Sequence, residues 1–111
     1  MKYKAFVLSW RRVSDISSIP EKVLYVFGDG AVPYYVGKAA KFLVRYSAGY
    51  HHLINAFIKR GGFVYYAPVD SRWNHIDDFE NALIRQWKPI FNRKKRDCLF
   101  QYHGKKPWKK A

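Results

Sequence analysis
The segment from Val23 to Tyr35 constrains the fold most. Six residues of strand character, Val23 to Gly28 (VLYVFG), run into Gly28-Asp29-Gly30, and Tyr34 to Gly37 follows as a second stretch of the same kind. An apolar run, a glycine-rich turn and a returning apolar run read as an antiparallel β-hairpin with its first strand buried. If the hairpin is centred on Gly30, Tyr25 and Tyr35 face each other directly, with side-chain origins roughly 5 Å apart. A slip of one residue would send them to opposite faces. Taken alone, two strand tyrosines also suit plain packing.

The rest of the chain supplies what such a hairpin packs against. Ala5 to Trp10 has strand propensity, and Ser14 to Pro20 is polar and turn-prone. Ala39 to Ser47 shows helical spacing in Phe42, Leu43 and Tyr46. Leu53, Ile54, Phe57 and Ile58 repeat it in a second helix, stopped by Gly61-Gly62. Phe63 to Val69 reads as a third strand ending at Pro68. A last helix starts at Asn74 as N-cap, carries Asp77 and Asp78 in the first turn where the helix dipole favours acids, and ends at Trp87 before Pro89. The expected architecture is a mixed α+β single domain over 1–111, with the order strand, strand, helix, helix, strand, helix.

Composition bounds the function. A chain of 111 residues with 49% hydrophobic and 19% aromatic side chains has enough apolar surface for one compact core. No apolar run approaches the roughly 20 residues that span a bilayer, so a soluble, intracellular, cytoplasmic protein without a membrane partner is expected. The single cysteine, Cys98, supports neither an internal disulfide nor a thiolate zinc site. The histidine spacings match no zinc motif either.

The net charge of +13 is unevenly spread. Residues 1–84 hold 11 basic and 7 acidic side chains, and residues 85–111 hold 10 basic and 1 acidic. Arg93, Lys94, Lys95 and Arg96 form one cluster, Lys105-Lys106-Pro107-Trp108-Lys109-Lys110 another, with Phe100 and Tyr102 between. Such a stretch attracts polyanions through counterion release and offers ring faces to bases. A solvated tail that only keeps the chain soluble is the plain alternative.

Glu80 is the residue packing explains least. Ile76, Phe79, Leu83, Ile84 and Trp87 form the apolar stripe of the last helix, and Glu80 stands inside it. A carboxylate there requires a cation partner, a metal, or an opening to a cleft.

Val23-Leu24-Tyr25 followed after nine residues by Tyr35-Val36-Gly37-Lys38-Ala39 resembles the paired signature of the GIY-YIG nuclease family. Arg45 stands eight residues after Gly37, where the family carries an arginine. Glu80, then Leu83-Ile84, then Pro89-Ile90-Phe91-Asn92 is similar to its closing motif. The likeness spans about residues 20 to 92, four motifs in the family's order, and is nearest to the nuclease domain of the bacterial excision-repair incision subunit. Val23 stands where the family usually has glycine, and the interval between signatures is about one residue short. Where the family often has a histidine or tyrosine after the arginine, this chain has Gly49, with Tyr46, Tyr50, His51 and His52 nearby.

The resemblance implies a small three-stranded antiparallel sheet flanked by helices and a metal-dependent endonuclease acting on DNA, with RNA left open. It implies Glu80 as ligand of one divalent ion, Mg²⁺ or Mn²⁺, Arg45 on the scissile phosphate, and Tyr25 or Tyr35 activating the water. Lys38 would lower a tyrosine's pKa, since a nearby cation favours phenolate. His51 or His52 would contact phosphate or relay a proton, Arg93 to Arg96 would bind nucleic acid, and Gly37 and Asn92 would be structural, Asn92 tying the helix to its following turn. Only residues 1–22 and 93–111 lie outside the match, so recognition by shape is expected over base readout. The alternatives are a catalytically silent nucleic-acid-binding module and an inhibitor or structural partner using the basic surface.

Overall fold
The computed structural model describes residues 3–13, 19–41, 54, 56, 58–92 and 99–108. It is an α+β fold. Strands β3 (Val23–Asp29), β4 (Val32–Ala39) and β5 (Phe63–Pro68) form an antiparallel sheet with β3 central, β5 crossing over to pair with β3 on the side away from β4, and the two-residue β2 (Arg11–Arg12) extends it to four strands in the order β2-β5-β3-β4. The expectation of a three-stranded sheet is corrected by that extra strand. A second correction is a separate two-stranded parallel sheet, in which β1 (Lys4–Phe6) pairs with β6 (Phe100–Tyr102). The strand expected over Ala5 to Trp10 is thus shortened to a piece ending at Phe6.

Helix α1 (Ile76–Trp87) buries Ile76, Phe79, Ala82, Leu83, Ile84 and Trp87, as a 3.6-residue period dictates. It begins one residue later than expected. Asp70–His75 forms a 3₁₀ turn, so His75 takes the N-cap position and Asn74 does not cap. At the other end Lys88 turns left-handed (φ 49°) and its N–H closes the last turn on the Ile84 carbonyl at 3.0 Å. Of the two helices expected before β5, the first falls on residues outside the described set. In the second, Ile54, Ala56, Ile58 and Lys59 are helical, and Gly61 ends it at φ 78°.

The sheet separates two apolar layers. Leu24, Val26, Val36 and Ala67 face α1 together with Phe6, Leu8, Phe79, Leu83 and Trp87. Val23, Tyr25, Phe27, Val64 and Tyr66 face the other way, toward Val13, Ile19 and Ile54. Alternation along each strand produces this division.

The rings of the C-terminal stretch belong to the first layer. Trp108 stacks on Phe63 at 5.0 Å, meets Trp87 edge-on at 5.0 Å, and donates its indole N–H to the Ala31 carbonyl at 3.2 Å. Tyr102 is buried, its hydroxyl accepting from Trp10 Nε1 at 3.0 Å and donating to the Lys105 carbonyl at 3.2 Å. Phe100 meets Phe79 edge-on at 5.4 Å. These rings serve the core, which corrects the expectation of an aromatic strip for stacking bases.

Candidate active site
The motif residues that the structure describes gather around one short stretch, Tyr35 to Lys38 on β4. Since β4 ends the sheet, both of its faces border the same rim. Alternation puts Tyr35 and Gly37 on one face and Val36 and Lys38 on the other.

On the first face, Tyr25 is opposite Gly37, and Tyr35 is opposite Phe27. The direct Tyr25–Tyr35 pairing expected from a hairpin centred on Gly30 is therefore corrected. Two one-residue displacements account for it. The loop is Gly30-Ala31, with Gly30 at φ 56°, which moves the centre by half a residue, and Tyr34 is the extra residue of a bulge between the Phe27 and Gly28 pairs. Together they shift the register by two residues, which preserves the face. The two rings consequently still meet, with centroids 6.0 Å apart at 41°.

Gly37 makes that meeting possible. A Cβ there would come within 2.5 Å of the Tyr25 hydroxyl oxygen and 2.7 Å of Tyr35 Cε2. Tyr25 is only 1% exposed, Tyr35 half-buried, so of the two phenols Tyr35 is nearer to solvent. Val23, in the family's glycine position, is fully buried between Ala39 and Pro68 as an ordinary strand residue.

On the second face, Lys38 reaches toward α1. Its ammonium pairs with Asp77 and lies 3.9 Å from Glu80 Oε1. Asp77 and Glu80 are three residues apart and so share one side of the helix. The Glu80 side chain is 19% exposed and Asp77 is 70% exposed, so this cluster opens outward from the edge of the apolar layer. A cation partner was one of the three explanations for an acid in the stripe, and Lys38 supplies it. The same arrangement directs the Lys38 ammonium to carboxylates on the face of β4 opposite the two phenols. By sequence Asp77 is a first-turn acid, and its position one turn before Glu80 is the signal that marks it as a second partner of Lys38.

Asn92 fastens the rim. Its Oδ1 accepts from the Val36 N–H at 2.8 Å and its Nδ2 donates to the Val36 carbonyl at 2.9 Å. The residue thus ties the chain after α1 to β4, a farther partner than the helix and turn expected from sequence. Arg45, His51, His52, Arg93, Lys94, Lys95 and Arg96 lie outside the described residues.

Glu80 and Asp77 are the two carboxylates at this rim, and both face the Lys38 ammonium. Among the described residues no group of three or more His, Cys, Asp and Glu side chains is placed to hold a metal. Compared with models of protein families, with curated proteins and with solved structures, the chain matches none of them. Among the described residues, no helix is long and apolar enough to cross a membrane.

Proposed function
We propose that the chain is a metal-dependent endonuclease of GIY-YIG type acting on DNA, with its chemistry at the Gly37–Lys38 end of the β4 rim. One observation carries the reading. Residues as far apart in sequence as Tyr25, Glu80 and Asn92 converge on Tyr35–Lys38, with Tyr25 over Gly37, Glu80 beside Lys38 and Asn92 on Val36. The antiparallel unit β5-β3-β4 would be the three-stranded sheet of that family, with β2 an addition to its edge.

Hydrolysis of a phosphodiester requires an activated water, charge to stabilise a pentacoordinate phosphorus, and help for the departing oxygen. Glu80, with Asp77 beside it, would hold the divalent ion. That ion would supply charge for the phosphorus oxygens and the leaving group. Tyr35 or Tyr25 would orient the water or accept its proton, and Lys38 and Arg45 would hold the phosphate. A phosphate drawn to Lys38 would compete with Asp77 and Glu80 for its ammonium, freeing carboxylate oxygens as substrate arrives. The +13 charge favours a polyanionic substrate throughout.

A catalytically silent nucleic-acid-binding module is the second reading, favoured by the Lys38–Glu80 pair, which satisfies Glu80 without a metal. Incubation with plasmid, branched and single-stranded DNA, with Mg²⁺ or with chelator, separates the two. Cleavage should require the metal and disappear in Glu80→Gln with DNA affinity and thermal unfolding retained. Tyr25→Phe and Tyr35→Phe in single turnover then identify the phenol, the true base losing about a hundredfold in rate with binding preserved. Cleavage by Glu80→Gln equal to the parent's would remove Glu80 from the mechanism, and no cleavage by the parent on any substrate would leave the silent module.

A further inference from the structure
The turn after α1 leaves large apolar side chains in solvent. Ile90 is 58% exposed, Phe91 50% and Val32 45%. They are neighbours, because the Ile90 N–H donates to the Pro33 carbonyl at 3.3 Å and the Phe91 N–H to the Tyr34 carbonyl at 2.8 Å. The Phe91 ring stands edge-on to Tyr34 at 5.7 Å. Asn92, next in the chain, is held to Val36 by two further bonds, so the backbone is anchored on both sides of Phe91. Single exposed apolar side chains are ordinary, but here three are grouped on one anchored turn and the strand it bonds to, close to Tyr35.

The surroundings are cationic. Exposed Lys88 precedes the turn. On the other side Trp108 bonds to Ala31, beside Val32, and Lys106 Nζ lies 5.9 Å from the Trp108 ring centroid. The acid on this hairpin, Asp29, is engaged by Arg60 at 3.1 Å. An exposed ring close after Lys88, on a chain of net charge +13, fits a nucleobase whose phosphates are drawn to lysines. A base inside a duplex has both faces covered by its neighbours and offers none to Phe91. A second copy of this +13 chain would bring like charge against like.

We infer that Phe91, backed by Tyr34, Ile90 and Val32, is a stacking platform for an unpaired base, so that the nuclease proposed above takes DNA with single-stranded bases beside the cut, such as a splayed fork, in preference to continuous duplex. The inference rests on that functional reading and deepens it.

Binding of labelled single strand, blunt duplex and splayed fork of one length, in chelator, tests it with Phe91→Ala and with Phe91→Leu, which keeps apolar bulk and removes the ring. Both variants should bind single strand and fork about tenfold more weakly and the blunt duplex unchanged, with thermal unfolding preserved. An equal loss on duplex, no loss at all, or full affinity in Phe91→Leu overturns the platform. So does sedimentation in which the parent self-associates and Phe91→Ala is a monomer. The same substrates with Mg²⁺ separate the two claims. A parent that cuts forks regardless of Phe91 overturns the platform alone. A parent that binds forks through Phe91 and cuts nothing overturns the nuclease alone, and a parent that binds no DNA overturns both.

Discussion

Residues 88–92 and 99–108 both follow α1, and both mix lysine with large apolar side chains, yet they use them in opposite ways. The first stretch fixes its backbone against β4 and leaves Ile90 and Phe91 in solvent. The second sinks Tyr102 and Trp108 into the layer beneath α1 and leaves its lysines outside. Each lies beside a strand residue gripped by a carboxamide: Asn92 holds Val36, and Gln86 holds Tyr102, donating to its carbonyl at 3.0 Å and accepting from its N–H at 2.8 Å. Composition alone does not say whether a ring beside a lysine is core or surface. The partner decides, and for Trp108 the partners are Phe63 and Trp87, far away in sequence.

The contrast breaks first at Trp108. Trp108→Ala should cost about 3–5 kcal/mol in urea or thermal unfolding, whereas Phe91→Ala should stay within about 0.5 kcal/mol. Equal effects would show that the two stretches are not core and surface. The carboxamides sharpen the comparison next. Asn92→Ala and Gln86→Ala each leave a part-buried strand residue without two partners, about 1–3 kcal/mol. Hydrogen exchange should quicken at the Val36 amide in the first variant and at the Tyr102 amide in the second, each sparing the other.

A smaller effect than those of Trp108 and the carboxamides concerns Tyr102. Burial pushes its phenol above the usual 10, partly offset by the hydrogen bonds from Trp10 and with Leu8. The unfolded phenol ionises first, so the contribution is full below about pH 10 and is lost as pH rises through the folded value. Tyr102→Phe should cost about 0.5–1.5 kcal/mol near neutrality. Its unfolding free energy should fall less steeply than the parent's above pH 10; identical slopes would mean that Tyr102 is not ionising against burial.

What the sequence discloses and what it hides follow the same rule of distance. The hairpin is legible because its turn and apolar runs are contiguous, and the face shared by Tyr25 and Tyr35 survives although the register does not, since the loop centre and the Tyr34 bulge displace it by an even number. The stripe of α1 is legible for the same local reason, and Glu80 stands out against it. Asn74 as N-cap fails because Asp70–His75 winds as a 3₁₀ turn, which side-chain preference alone does not reveal. The parallel β1–β6 pairing leaves no local mark, so Phe100, Tyr102 and Trp108 read from sequence as a basic tail with rings to offer. At the rim, motif order brings Tyr25, Lys38, Glu80 and Asn92 to attention, but the ion pair of Lys38 with Asp77 and the grip of Asn92 on Val36 depend on which strand lies outermost.

The pairing of β1 with β6 also has a bearing on the order in which the molecule can be made. Phe6 stacks on Phe79 at 4.1 Å and leans on Tyr102 at 5.4 Å, so its surroundings are assembled from both extremities of the described chain. During synthesis the β5-β3-β4 sheet can collapse as soon as α1 emerges, while Phe6 lacks part of its surroundings until Phe100, Tyr102 and His103 leave the ribosome. Contacts so distant in sequence are slow to close, and apolar side chains left waiting are the ones chaperones find.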